Sequence, residues 1–238
     1  NGTATAGSDY SAISGTLSFN PGETTKTITL PILNDSVYEG SENFTVSLST
    51  PTNATLATAS VTTAIKDDGT GTGGGDDDRL TVTSVSNASA TEGAPLTFTV
   101  NLSGTSSTAT NVSVNFISGT ATLGTDTGTQ QYSSDGGSTW NTLSGGTVSV
   151  PAGQSSFQVR VASTIDGIVE GNENFSLAAS TAQNASVVTG TGTIVDAAVP
   201  TISISGPAVV NEAAGTISYT ISLSTSSAAS ISVNYASA

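Results

Sequence analysis

The sequence predicts an all-β protein made of tandem immunoglobulin-like antiparallel β-sandwiches. Three features predict it: apolar and polar residues alternate with period two in many short runs, no window carries a 3.6-residue apolar stripe, and the pattern repeats within the chain. Ser, Thr, Gly, Ala, Asn and Val dominate, a mixture that favours short strands joined by small-residue turns.

In chain order the alternating runs fall at 15–19, 27–33 and 44–48, then at 96–102, 112–116, 147–150, 157–161 and 175–177. Each is expected to be a strand with one face buried. The repeat fixes how they are grouped. Pro21-Gly22-Glu23 returns as Pro151-Ala152-Gly153-Gln154, and Asn53-Ala54 returns as Asn184-Ala185. Asp35-Ser36-Val37-Tyr38-Glu39-Gly40-Ser41-Glu42-Asn43-Phe44 returns as Asp166-Gly167-Ile168-Val169-Glu170-Gly171-Asn172-Glu173-Asn174-Phe175, so that Phe44 and Phe175 lie 131 residues apart. At the far end, Val210-Asn211-Glu212-Ala213 and the runs 217–223 and 231–235 match Ala90-Thr91-Glu92-Gly93, 96–102 and 112–116.

The expected organisation is one complete domain at 79–196 and one domain cut in two. Residues 200–238 carry its first strands, residues 1–68 carry the remainder, and 69–78 form a Gly/Asp-rich linker. Either fragment alone exposes sheet edges and half a core. Completion by a neighbouring unit is therefore expected, from the next period of a longer polypeptide or by exchange between molecules. Both give a head-to-tail rod.

Composition excludes much chemistry. The chain has no Cys, no Met, no His and one Trp, which removes disulfides, thiolate metal sites and His-based catalytic dyads. No apolar run approaches about 18 residues, so membrane insertion is not expected. Four basic residues (Lys26, Lys66, Arg79, Arg160) stand against 18 acidic ones, a formal charge of −14. That balance argues against nucleic acid and anionic lipid as partners. Catalysis by paired carboxylates stays formally open, yet no His, Cys or basic cluster is present to shape a cleft, and an enzyme is not expected.

The acidic residues cluster instead. In Asn34-Asp35-Ser36-Val37-Tyr38-Glu39-Gly40-Ser41-Glu42 several oxygens fall in one turn between two strands, an arrangement suited to a hard cation. Carboxylates this close repel one another unless a cation or protons intervene.

The segments resemble the Calx-β family. The resemblance rests on Gly2-Thr3-Ala4 leading to Gly7-Ser8-Asp9-Tyr10, on Gly15-Thr16-Leu17-Ser18-Phe19-Asn20-Pro21-Gly22-Glu23, on Asn34-Asp35 through Glu42-Asn43-Phe44, and on Ile65-Lys66-Asp67-Asp68. It implies a seven-stranded sandwich with Ca2+ sites in loops at one end. It also implies one ligand set of Glu212, Asp9, Asp35, Glu39, Glu42, Asp67 and Asp68, with the Val37 carbonyl a possible addition. A second set comprises Glu92, Asp126, Asp166, Glu170, Glu173 and Asp196, with the Ile168 carbonyl equivalent. Together the two sets take 13 of the 18 acidic residues.

The middle copy departs from the family pattern. It ends Val195-Asp196-Ala197-Ala198 where the family has a run of Asp, and Asp126 lies in Gly124-Thr125-Asp126-Thr127 rather than in an Asp-Tyr pair. Fewer or weaker ions are expected there. Beyond Asp126 comes an insertion with Tyr132-Ser133-Ser134-Asp135-Gly136-Gly137-Ser138-Thr139-Trp140, whose aromatic pair either closes one end of the sandwich or grips a carbohydrate or protein. The glycine tract of the linker is expected to behave as a flexible coil unless Asp76, Asp77 and Asp78 stiffen it by holding a junctional calcium; a solvated hinge is the alternative.

The expected function is structural: a secreted, cell-surface repeat unit, stabilised by Ca2+, of a head-to-tail filament or giant adhesin of the kind bacteria display. Its partners would be copies of itself or adjacent repeats. A carbohydrate- or protein-binding adhesin module and a regulatory calcium sensor are the alternatives.

Overall fold

The computed structural model describes residues 2–165, 171–196, 200–224 and 230–237. In the head, β1 (Ser41–Ser47) pairs antiparallel with β2 (Ser60–Lys66). The middle unit holds β3 (Val82–Val85), β4 (Ala88–Thr91), β5 (Leu96–Leu102), β6 (Thr110–Ser118), β7 (Thr127–Ser133), β8 (Asn141–Thr142), β9 (Thr147–Val150), β10 (Ser156–Ser163), β11 (Glu173–Ser180) and β12 (Val188–Val195). In the tail, β13 (Ile202–Ser205) pairs antiparallel with β14 (Thr220–Leu223). The described residues contain no α-helix, and a 3-10 turn spans Glu212–Ala214.

The middle unit is a two-sheet sandwich, with strand orders β3-β5-β10-β7-β8 and β4-β12-β11-β6-β9. Its pairings are antiparallel except for β4 beside β12, which run parallel. Alternation in sequence becomes alternation in burial: Leu96, Phe98, Val100 and Leu102 of β5 are buried, as are Phe157, Val159 and Val161 of β10. Facing them, Phe116 of β6 and Phe175 of β11 meet Phe98 in a triad with ring centroids 5.9–6.2 Å apart and tilted by 50–70°. Such edge-on pairs add about 0.5–1.5 kcal/mol each beyond their buried area. Gly192 of β12 makes room for the triad, since a Cβ there would stand 2.5 Å from the Phe175 ring. Asn184 clamps the entry strand by accepting from the Val82 amide and donating to the Val82 carbonyl, both at 2.9 Å.

The insertion forms the β7–β8 edge. Asp135 organises its turn by accepting from Ser133 Oγ at 2.6 Å and from the Thr139 amide at 2.9 Å, and these bonds hold its carboxyl down at about 2. Tyr132 packs against the core. Trp140 lies under the Arg160 guanidinium, 4.0 Å from its ring centroid, and Arg160 Nε donates to Gln131 Oε1 at 2.9 Å. Both aromatic residues are thus engaged by their own sandwich.

Head and tail differ from the alternation in one respect. The runs 15–19, 27–33 and 231–235 form no strand, and 217–223 is a strand only over its last four residues. The physical reason is missing partners. In the middle unit the counterparts of these runs pair with strands whose own counterparts lie in the opposite fragment. Where both partners lie in one fragment the ladder forms, as in β1–β2 and β13–β14. The middle unit pairs Ser163 with Thr127, and the head likewise pairs Ile32 with Tyr10.

Removing an aromatic ring from the middle core is expected to be costly. Phe98→Ala should lower its stability by about 3–5 kcal/mol, measured by urea unfolding followed through Trp140 fluorescence, whereas Val209→Ala, at a side chain 88% exposed, should change it by less than about 0.5 kcal/mol.

Candidate metal site

Three segments of the head bring carboxylates together. Asp9 is placed by a short turn: its amide donates to the Thr5 carbonyl at 3.0 Å and its Oδ2 accepts from the Thr5 amide at 2.5 Å. Next to it, Tyr10 stacks on Phe44 of β1 with centroids 4.6 Å apart. That stack fixes Asp9 against the start of β1, where Glu42 stands. Glu39 arrives from the loop before β1. Asp35 shapes that loop by accepting from the Val37 amide at 2.8 Å, and Asp67, just past β2, accepts from the Glu39 amide at 2.7 Å.

The result is a set of carboxylate oxygens from Asp9, Glu39 and Glu42 all within 4.8 Å of one another. They line a cavity of about 80 Å³ together with Asp35, Val37, Asp67 and Asp78. Asp9 is buried and Glu39 and Glu42 are half-buried. Burial first, then the hydrogen bond and charge of Asp9, then the charges of Glu39 and Asp67 push the Glu42 carboxyl up to about 7. Glu39 is raised by burial and by Asp9, Asp35 and Asp67. Asp78 is raised by burial and by its acidic neighbours, Asp76 first. With no cation among these groups, protons are what relieve the repulsion.

The remaining expected ligands of this set divide. Asp35 and Asp67 line the cavity. Asp68 turns away to accept from the Thr70 amide and hydroxyl, which hold its carboxyl below the usual range. Glu212 lies in the exposed 3-10 turn of the tail, and its surroundings are Val210, Asn211 and Ala214 to Ile217 rather than the Asp9 cavity.

The Asp76–Asp78 tract does not gather into a separate junctional site. Asp76 is exposed, and Asp77 is held in a fork by Arg79, Nε to Oδ1 at 2.8 Å and a terminal guanidinium nitrogen to Oδ2 at 2.7 Å. Asp78 joins the first cavity. This corrects the coil expected of the linker as well. Asp68 bridges to Asp77, and the Asp78 amide donates to the Asp67 carbonyl at 2.9 Å, so residues 69–76 form a closed loop on a hydrogen-bonded neck. Glycine is required inside it, because a Cβ on Gly74 would stand 2.8 Å from the Gly69 carbonyl oxygen.

In the middle unit, Asp126 occupies the position of Asp9: its amide donates to the Thr122 carbonyl at 3.0 Å, its Oδ2 accepts from the Thr122 amide at 2.6 Å, and its carbonyl accepts from the Thr164 amide as the Asp9 carbonyl accepts from Leu33. Asp196 accepts from the Gly171 amide at 3.0 Å, and the Glu92 amide donates to the Val195 carbonyl at 3.0 Å. Glu173 opens β11. Asp166, Ile168 and Glu170 lie outside the described residues. Among the described residues, only Asp9, Glu39 and Glu42 bring three such donors within reach of one another.

One contact of this site escaped the sequence. The Tyr38 carbonyl, between Val37 and Glu39, accepts from the Ser107 amide at 2.9 Å and from the Ser106 hydroxyl at 2.8 Å, and Ser106 is buried in the β5–β6 loop of the middle unit. The cavity-forming loop is therefore bonded directly to the next sandwich. Serines in a Ser/Thr-rich chain carry no signal of such a contact.

A carboxyl raised above its unfolded value favours the protonated fold. The Glu42 contribution is fully present below its unfolded value of 4.5 and is lost as pH rises through about 7. In chelator, the melting temperature of the chain should therefore fall as pH is raised from about 5 to about 8, and Glu42→Gln should flatten that fall in a differential scanning fluorimetry series.

Residues 1–69 and 76–205 match the model of the Calx-beta domain family. Among characterised proteins, sodium/calcium exchanger 1 of Canis lupus familiaris is 54% identical over 48 residues, and sodium/calcium exchanger 2 of Rattus norvegicus is 49% identical over 47. Each match takes 20% of this chain and 5% of the exchanger, so the chain spans only a small part of these relatives. Among solved structures, the apo-form Calx CBD1 domain is 19% identical with TM-score 0.36, covering 48% of this chain and 96% of that domain. The calcium binding domain CBD12 of CALX1.1 is 21% identical with TM-score 0.36, covering 47% of this chain and 45% of that one. With two family segments that together span most of its length and flank the glycine loop, the chain belongs to the Calx-beta domain family.

Proposed function

We propose that this chain is a calcium-binding structural segment of an extracellular repeat array, a filament or large surface adhesin, in which the ion locks one sandwich onto the next. One observation carries the reading: the acidic cavity lies where the chain passes between sandwiches. Asp67 and Asp78, at the two sides of the loop neck, both line it, and its Val37–Glu39 wall is hydrogen-bonded to Ser106 and Ser107.

The donor chemistry supports calcium. Ca2+ takes six to eight oxygens at about 2.3–2.6 Å in adaptable geometry, and carboxylates on separate loops with a backbone carbonyl nearby supply that kind of shell. Softer metals prefer imidazole and thiolate, and the chain has no His or Cys. The likeness to sodium/calcium exchangers and to a solved calcium binding domain points the same way. Asp9, Asp35, Glu39, Glu42, Asp67 and Asp78 would hold the ion, with Asp68 and Asp77 kept by Thr70 and Arg79 as shape for the neck. Partly exposed sites on loops suit the millimolar calcium outside cells. The cavity offers carboxylates alone, without the nucleophile and base of a hydrolytic site, and so supports binding rather than catalysis. No helix among the described residues is long and apolar enough to cross a membrane.

A second reading, regulatory sensing, draws on the 48-residue likeness to the exchangers. Calorimetric titration separates the two: dissociation constants near about 10⁻⁴–10⁻³ M fit a structural role, and about 10⁻⁷–10⁻⁵ M a sensor. Calcium should raise the melting temperature, and Glu39→Gln with Glu42→Gln should weaken binding by at least about tenfold, a loss of about 1.4 kcal/mol. X-ray scattering with and without calcium should show a narrower distribution of maximum dimension when the ion is bound. No calcium heat in the unaltered chain would refute the proposal.

A further inference from the structure

The intact middle sandwich is an internal template for the two fragments. Of its ladders, β3–β5 and β11–β12 have both counterparts within one fragment, and both form there, as β13–β14 and β1–β2. The ladders β5–β10, β6–β11, β6–β9 and β4–β12 have one counterpart in the tail and one in the head. None of these forms within the chain among the described residues. The apolar residues that those ladders bury in the middle unit stand open in the fragments. Val159 and Phe98 are fully buried, whereas their counterparts Ile28 and Tyr219 are 44% and 56% exposed; Phe116 is 7% exposed, and its counterpart Tyr235 is 89% exposed.

We infer that residues 202–223 and 230–237 of one copy of this chain complete the open sandwich of residues 2–68 of a second copy, pairing in the register of the middle unit. That register is specific. Val159 pairs with Phe98 and Arg160 with Thr97, which sets Ile28 opposite Tyr219 and Thr29 opposite Ser218. Leu177 pairs with Phe116, which sets Val46 opposite Tyr235. The Asn184 clamp on Val82 becomes Asn53 on Ile202. The occupant is a second copy because the two open faces are complements and not duplicates: each lacks the strands that the other displays. An isologous dimer of heads or of tails would supply neither set, so the association is heterologous and propagates. The same register serves a copy that continues in one polypeptide and a separate one. In the parallel β4–β12 register the Glu92 amide meets the Val195 carbonyl, and the equivalent contact brings Glu212 to Lys66, beside Asp67 and the acidic cavity.

The absence of cysteine makes the test clean. Thr29→Cys and Ser218→Cys, both at exposed positions facing away from the apolar side, are prepared separately and together in the full 238-residue chain. Oxidation of the mixed single variants should trap a disulfide-linked pair at twice 23.3 kDa, and the double variant should give a ladder of multiples of that mass. Thr29→Cys mixed with Ser222→Cys, four residues out of register, should not cross-link. Trp140 emission in each variant reports that the middle sandwich is folded. The experiment is run in calcium and again in chelator. Capture in either buffer supports the inference, whatever calcium itself does. Absence of linkage from both, closure of the double variant on itself at 23.3 kDa, or equal linkage out of register would overturn it.

Discussion

A strand holds its place only if its backbone groups and its apolar face both find partners. That requirement divides this chain more sharply than composition does. In the middle unit all the partners lie within one continuous stretch of chain, and the alternation of β5, β10, β6 and β11 closes over the Phe98, Phe116 and Phe175 triad. In head and tail the same alternation is present, yet only the ladders with both strands at hand are made. The exposed Ile28, Tyr219 and Tyr235 are the visible consequence.

The acidic cavity depends on the part of the head that does fold. Asp9, Glu39 and Glu42 are held by the Thr5 turn, the Tyr10–Phe44 stack and the Asp67 contact to the Glu39 amide. These contacts gather like charges against their repulsion, which is stored as the raised carboxyls of Glu39, Glu42 and Asp78. Asp68 and Asp77, equally acidic and close in sequence, are relieved by Thr70 and Arg79 instead. Position within the cavity, rather than residue type, separates a cation site from loop scaffolding here.

The two copies of the repeat share their framework. The Asp9 turn and the Asp126 turn have the same hydrogen bonds, and the Ala4–Asn43 contact recurs as Ala121–Asn174. Their junctions set them apart: the head is joined by a neck of Asp67 and Asp78 to a neighbour that its loop already touches at Ser106. Coupling between ion and junction is thus built into covalent and hydrogen-bonded connectivity at one place.

Sequence alone determined the all-β class, the repeat and its cut, and the loop in which Asp35, Glu39 and Glu42 cluster, because alternation and motif spacing are local and are written residue by residue. Tertiary structure decided which of the repeated runs become strands, since Leu17 and Phe19 or Ile231 and Val233 read as strand residues but lack partners within the chain. It decided too that Asp78 joins the distant Asp9 while Asp77 goes to Arg79, that the glycine tract closes on a neck, and that Trp140 lies beneath Arg160. Each of those outcomes is a pairing between separate segments, and a pairing is fixed by what the fold brings within hydrogen-bond or Coulomb range rather than by the residues on either side of it.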